Sequence, residues 1–373
     1  MRILGDRVFV LIVAILILGG LAMFFSASLG LLARENASLT KIAITQLALG
    51  LIPGMAALVA IRFMPSKWIA KATLPVYLGT LILTLLVFVP GIGHTANGAT
   101  RWLDLGFTTF QPGEFLKIGT ILMLGGYLAY AGKHITNMRA GLLPFCGIVG
   151  VPIVILLAEP NTSTALIIGA ACVTMYFLAG APWRDFAILA GVALVGLTIL
   201  VFMRPYLMDR VMTFVNPSDN AFGSGYQIQQ SLIAIGSGGI MGRGFGQSVE
   251  KFNYLPEAVN DSVFAVYGEE FGFIGAVFLI LLFFAFAARG FKIASEASTA
   301  AGAYIAIGLT LMIVLSAFLN IGAMLGVLPL TGLPLPFVSH GGTALFAALA
   351  SVGIILNVAG EKRGSRRPFA ART

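Results

Sequence analysis

Apolar residues in this chain come in blocks of about twenty, parted by short polar or Pro/Gly-rich joints, from one end to the other. About 20 apolar residues in a helix cross a bilayer core of roughly 30 Å. The pattern predicts ten spans: 8–29, 42–61, 72–90, 113–131, 141–158, 162–180, 186–203, one from 262 to 288, and two within 297–360. That last stretch holds no Asp, Glu, Lys or Arg, and the Pro/Gly cluster from Leu328 to Pro336 divides it. The first block is too long for a signal-peptide core and lacks a clear cleavage site, so it reads as an uncleaved span. Pro144 and Pro152 predict a bent or short fifth helix. Two polar segments interrupt the series, 91–112 and about 204–261. The expected fold is an all-α polytopic membrane protein of about ten transmembrane helices. One transmembrane domain, 1–361, carries a large loop between helices 7 and 8, and a basic tail follows at 362–373.

Composition sharpens this. The chain has 373 residues, 58% hydrophobic and only 10% charged, with a mean hydropathy of +0.96. Soluble domains are nearer one quarter charged, so a soluble globular enzyme is excluded. The net charge of +8 does not point to nucleic acid, because 5 of the 23 basic residues sit in the last dozen positions. In a polytopic protein basic residues report orientation. With cytoplasmic termini, 15 Lys and Arg fall inside and 7 outside, Lys117 lying within a span. Both polar segments then face away from the cytoplasm, and the tail lies near anionic lipid. No P-loop supports ATP-driven transport, and no internal repeat supports an inverted-repeat transporter. Cys146 and Cys172 fall in apolar segments and read as buried packing thiols.

Ionisable groups inside a membrane are costly and call for a reason. Glu114 and Lys117 stand three apart at the start of the fourth span, close enough to pair. They are a packing salt bridge or the wall of a polar cavity. Glu269 and Glu270 read as the opening of the eighth helix, where the macrodipole favours acids. Glu159, before Pro160, reads as interfacial. In the long outer segment, Gly223-Ser224-Gly225-Tyr226-Gln227 and the run Gly236 to Gly246 would bring backbone N–H groups close to a ligand, often an anion. No strand precedes these glycines, so the dinucleotide-fold reading fails. Asp261, at the mouth of the eighth helix, is a natural N-cap or a catalytic carboxylate. Arg204, Arg210, Arg243 and Lys251 make this outer face basic, either as a headgroup surface or as a site for a pyrophosphate.

Four motifs between residues 98 and 343 resemble the SEDS family of cell-wall polymerases. They are Gly98-Ala99-Thr100-Arg101-Trp102 through Gln111-Pro112-Gly113-Glu114 to Lys117; Gly225-Tyr226-Gln227 with Gln230-Ser231; Gly246-Gln247-Ser248, Lys251 and Tyr254-Leu255-Pro256-Glu257-Ala258 to Asp261 and Gly268-Glu269-Glu270; and Gly332-Leu333-Pro334-Leu335-Pro336 through Ser339-His340-Gly341-Gly342. The third is worded like the division branch of the family rather than the elongation branch. Three positions depart from the family pattern: Asn161 replaces an aspartate, His340 a tyrosine, and Ser262 an aromatic residue.

The resemblance implies a glycosyltransferase that polymerises lipid II, a disaccharide-pentapeptide on undecaprenyl pyrophosphate. It would act at the outer face of the cytoplasmic membrane, at the division septum. Asp261 is then the candidate general base for the attacking sugar hydroxyl. Arg101, Arg210, Arg243 and Lys251 are candidates for the departing pyrophosphate, with a divalent cation (Mg or Mn) able to share that work. Glu114 and Lys117 would wall a polar cavity. The implied partners are a class B penicillin-binding protein transpeptidase and other division proteins, and no nucleic acid. The competing class is transport, a lipid II flippase or another secondary transporter, for which Glu114, Lys117, Glu269 and Glu270 would line the path.

Overall fold

The computed structural model describes residues 6–35, 46–96, 98–106, 108–216 and 223–361. The tail 362–373, Arg2 and Lys41 lie outside the described residues, as does the side chain of Arg34. The helices are α1 (Arg7–Glu35), a π-helical turn Leu47–Leu51 running into α2 (Ile52–Phe63), α3 (Ser66–Leu85), α4 (Pro112–Ala131), α5 (Leu142–Ala158), α6 (Thr162–Leu178) and α7 (Trp183–Met203). There follow α8 (Pro205–Val215), α9 (Ser224–Ser237), α10 (Glu250–Asn253), α11 (Val263–Ser295), α12 (Ala300–Met324) and α13 (Gly342–Gly360). Among the described residues seven helices are long and apolar enough to cross a membrane: α1, α3, α4, α7, α11, α12 and α13. Three shorter apolar helices, Leu47–Phe63, α5 and α6, fall on the other three predicted spans.

Helices α4, α12 and α13 are mostly buried, whereas α7 stands at the edge with Val192, Leu194 and Phe202 exposed. Such a face is what lipid would cover. Small residues set the close approaches. A Cβ on Gly353 of α13 would lie 2.9 Å from the Leu58 backbone of α2. Cys172 is buried as expected, but Cys146 is exposed, because it occupies the outward face of α5.

The helical membrane fold is as expected, with two features that the pattern did not predict, the first a small sheet. Residues Gly93–Ala96 (β1), Ala99–Asp104 (β2) and Thr109–Phe110 (β3) form an antiparallel sheet ordered β1-β2-β3. Gly93 pairs with Leu103 and Leu103 with Phe110, and the positive φ of 74° at Gly98 allows the hairpin to close. These strands are too short to give a period-two signal that stands out from a polar joint. The segment 204–261 is likewise no open loop, since α8, α9 and α10 lie within it.

The two ends of the bundle differ. One gathers the sheet, the α5–α6 turn, α8 to α10 and the Pro/Gly segment 325–341. The other holds the Arg289–Asp6 ion pair, and the Asn357 amide that donates to the Ile61 and Met64 carbonyls. The charge distribution predicts that the first end is extracytoplasmic. With Cys146 and Cys172 replaced, a cysteine at Met241, which is 78% exposed, should react with a membrane-impermeant thiol reagent on intact cells. Labelling only after lysis would invert the orientation.

Candidate active site

The glycine run does something other than cradle an anion. Helix α11 is broken at Gly272, which sits at φ 63°, ψ −164°. Into the break fits the segment 238–246. The N–H groups of Arg243 and Gly244 donate to the carbonyls of Glu269 and Glu270 (3.0 Å each), while Phe273 N–H donates to the Gly239 carbonyl (2.9 Å). The backbone groups freed by the kink are thereby satisfied. A Cβ on Gly272 or Gly242 would collide with the other segment's backbone, so glycine is required at both.

Glu269 and Glu270 therefore stand just before this break, not at a helix start. The Glu269 carboxylate accepts from Ser248 Oγ (2.5 Å) and Val249 N–H (3.0 Å), and lies 3.4 Å from Arg243 Nε. Glu270 pairs with Lys251 Nζ at 2.7 Å and accepts from Ser26 Oγ at 2.6 Å. Lys251 also donates to the Gly246 carbonyl and to Ser26 Oγ. Lys251 and Arg243 are thus placed on these acids, away from Asp261, which corrects the expectation that all the outer basic residues face one substrate group.

Asp261 lies in the turn before α11. The N-cap of that helix is Ser262, and the Asp261 side chain does not cap it. Its Oδ1 instead accepts from Gln227 Nε2 of α9 at 3.2 Å. Its backbone carbonyl accepts from Asn320 Nδ2 of α12 at 2.7 Å, and the same amide donates to the Leu333 carbonyl. The Pro/Gly segment braces the turn from the other side: Ser339 Oγ donates to the Asn260 carbonyl and His340 N–H to the Val259 carbonyl. Glu257 adopts the left-handed region (φ 50°), an unfavourable conformation for a non-glycine residue. Burial, and then the Glu257 carboxylate, raise the Asp261 pKa to about 6, against the opposing pull of the Gln227 hydrogen bond and the Arg210 charge.

Asp261 opens into a cavity of about 520 Å³. Arg101 from β2, Arg210 from α8, Glu114 from α4, Asn161 and Ser163 from the start of α6, and His340 line it with Gln227 and Asn260. Tyr206 OH meets Thr162 Oγ1 at 2.7 Å, which lays α8 over α6 and brings Arg210 to the cavity. Arg210 Nη1 lies 3.5 Å from the Thr331 carbonyl, and a Cβ on Gly332 would meet both Arg210 Nη2 (3.7 Å) and Asp261 Oδ2 (3.9 Å). Arg101 is held by the Glu159 and Pro160 carbonyls. Glu159 is not interfacial: it is 1% exposed, its carboxylate oxygens have no hydrogen-bond partner, and burial pushes its pKa up to about 8. Burial lowers the His340 pKa, so its imidazole is neutral at pH 7.

Glu114 and Lys117 do pair, at 2.9 Å, both buried. Glu114 alone of the two lines the large cavity. Removing one partner leaves a buried charge uncompensated, a costly state. Glu114→Gln and Lys117→Met should each lower membrane accumulation, and the double variant should recover about 1–3 kcal/mol relative to the sum of the two. Additive losses would show that the two groups act separately.

Sequence reasoning passed over Gln227, Glu257 and Asn320. The first two lie inside the quoted motifs, but Asn320, within an apolar helix, carried only the signal of a buried amide. Among the described residues no three His, Cys, Asp or Glu side chains converge closely enough to hold a metal ion.

The sequence profile of the FtsW/RodA/SpoVE family, described as cell cycle proteins, matches residues 6–364. The stage V sporulation protein E of Bacillus subtilis is 40% identical over 281 residues, covering 75% of this chain and 77% of that protein. The probable peptidoglycan glycosyltransferase FtsW of Thioalkalivibrio sulfidiphilus is 40% identical over 342 residues, 91% of this chain and 85% of the relative. Among solved structures, a chain of a peptidoglycan synthase complex that coordinates polymerization and crosslinking superposes with a TM-score of 0.77 at 27% identity, covering 95% of this chain and 97% of that one. The rod shape determining protein RodA of Thermus thermophilus gives 0.67 at 28% identity, with 95% and 96% covered. A profile spanning nearly the whole chain, relatives at 40% identity and a shared helical fold place this multi-pass membrane chain in the FtsW/RodA/SpoVE family.

Proposed function

We propose that this protein is a peptidoglycan glycosyltransferase that polymerises lipid II at the outer face of the cytoplasmic membrane, with Asp261 as general base. The observation that carries the reading is that a partly buried carboxylate, Arg210 and Arg101 line one polar cavity at the outer end of the bundle. The acceptor sugar's 4-hydroxyl gives its proton to the Asp261 carboxylate as its oxygen attacks the donor's anomeric carbon. The bond from that carbon to the pyrophosphate oxygen breaks, and the electron pair leaves with the pyrophosphate. Attack from the face opposite the leaving group turns an α-linked donor into a β-1,4 linkage. Arg210 and Arg101 stabilise the charge growing on the pyrophosphate. A base whose pKa is about 6 is mainly ionised at neutral pH yet still basic enough to accept a proton. The polyprenyl chain stays in the bilayer.

Names and structures of the relatives favour this reading over transport. So does the use of Glu269 and Glu270 as ligands for the 246–251 loop, which takes two of the four acids and bases out of any conduction path. The division role and a class B penicillin-binding protein partner are part of the same proposal, supported by the FtsW names and the synthase complex. Purified protein reconstituted with lipid II, with and without the transpeptidase, should make glycan strands. Absence of glycan in both preparations would overturn the reading.

A further inference from the structure

Asn161 stands at the N-cap position of α6, where an asparagine side chain ordinarily accepts a hydrogen bond from the first turn. Here it makes no such bond. Its backbone is fully committed, N–H to the Leu156 carbonyl (2.8 Å) and carbonyl to Ala165 N–H (3.2 Å), so the direction of the side chain is set by the α5–α6 turn. The residue is 4% exposed and lines the Asp261 cavity, yet its Nδ2 has no hydrogen-bond partner. A buried donor without a partner is costly and rare in native structures. Nδ2 lies against Gly113, 3.4 Å from where a Cβ would stand there, and Gly113 precedes Glu114 on the cavity wall. An amide donor and a carboxylate acceptor thus share one side of the cavity. Leu333, Pro334 and Ala344 supply apolar wall in the same space.

The polar groups on this side are one amide donor, Asn161 Nδ2, and one carboxylate acceptor, Glu114, whose charge is balanced by Lys117. A neutral group offering an acceptor, a donor and a methyl fits it: a secondary acetamide. Resting on the glycosyltransferase reading, we propose that Asn161 is a specificity-determining residue that donates from Nδ2 to the acetamido carbonyl of an N-acetylhexosamine in the substrate, with Glu114 accepting from the acetamido N–H.

The test measures binding, in an Asp261→Asn background that prevents turnover. Three ligands are compared in nanodiscs: lipid II, a synthetic lipid II with hydrogen in place of both acetamido groups, and undecaprenyl pyrophosphate alone. Loss of one neutral hydrogen bond is worth about tenfold in affinity. Asn161→Ala should bind lipid II about tenfold more weakly, bind undecaprenyl pyrophosphate unchanged, and bind the deoxy ligand as its parent does. An equal drop for undecaprenyl pyrophosphate, or the same drop for the deoxy ligand, would overturn the proposal. Should Asn161→Ala fail to accumulate, the parent alone decides. It must favour lipid II over the deoxy ligand by about tenfold or more, and equal affinities would sink the idea. A parent that binds neither lipid II nor undecaprenyl pyrophosphate would overturn the glycosyltransferase reading itself.

Discussion

Asp261→Asn should accumulate in the membrane like the parent and make about a hundredfold to ten-thousandfold less glycan, the usual cost of losing a general base. The structure makes this substitution cleaner than the sequence suggested. Ser262 occupies the N-cap, and the Asp261 side chain makes no capping hydrogen bond, so no helix cap is lost. The amide oxygen of the new residue can still accept from Gln227 Nε2, while the backbone bond from Asn320 is untouched. A pH profile adds an independent check. The active form is the carboxylate, so log rate should climb with slope near one below about pH 6 and level off above it. The residual activity of Asp261→Asn should lack that limb. Near-parental glycan synthesis by the variant, or an unchanged acid limb, would remove Asp261 from the chemistry.

Lys251→Met should strike folding rather than substrate binding. Lys251 and Glu270 are each 0% exposed and 2.7 Å apart. Breaking such a pair leaves an uncompensated buried carboxylate, at a cost of about 3–5 kcal/mol. That is a large share of the stability of a typical domain, so the single variant should reach the membrane in much reduced amount. Removing both charges with Lys251→Met and Glu270→Gln should restore much of the yield, because no charge is then stranded. Purified double variant should bind undecaprenyl pyrophosphate as the parent does. A single variant that accumulates normally and loses only that affinity would return Lys251 to the substrate.

The same contrast explains how far the sequence could be read. The Glu114–Lys117 pair was legible because both partners lie on one helix, and a spacing of three residues fixes their approach wherever that helix goes. Lys251 and Glu270 are equally well paired, but they come from separate helices, α10 and α11, with the 254–262 turn between them. Nothing local to either residue reports the other. The glycines from Gly236 to Gly246 were legible as a place of close approach, but not as to what approaches. The answer, a broken helix that needs its carbonyls filled, exists only once α11 has kinked. Glu159 shows the reverse error. Beside Pro160 at a helix end it has the local pattern of an interfacial acid, and only the packing of the sheet and Arg101 over the turn buries it.

The helical multi-pass character and the family were therefore written in the chain itself. Hydrophobic block length, charge distribution and motif wording are properties of contiguous residues, and the bilayer reads them one segment at a time. Which polar side chains share a cavity was decided by tertiary structure alone. Asp261, Gln227, Arg210, Arg101 and Asn161 come from five separate segments. Their meeting depends on helix kinks, a small sheet and a Pro/Gly brace whose geometry no single segment specifies. Charge was no guide either, since four outer basic residues look alike in sequence. Two of them, Arg243 and Lys251, are claimed by buried acids, while Arg101 and Arg210, held by main-chain carbonyls, keep their charge for the cavity.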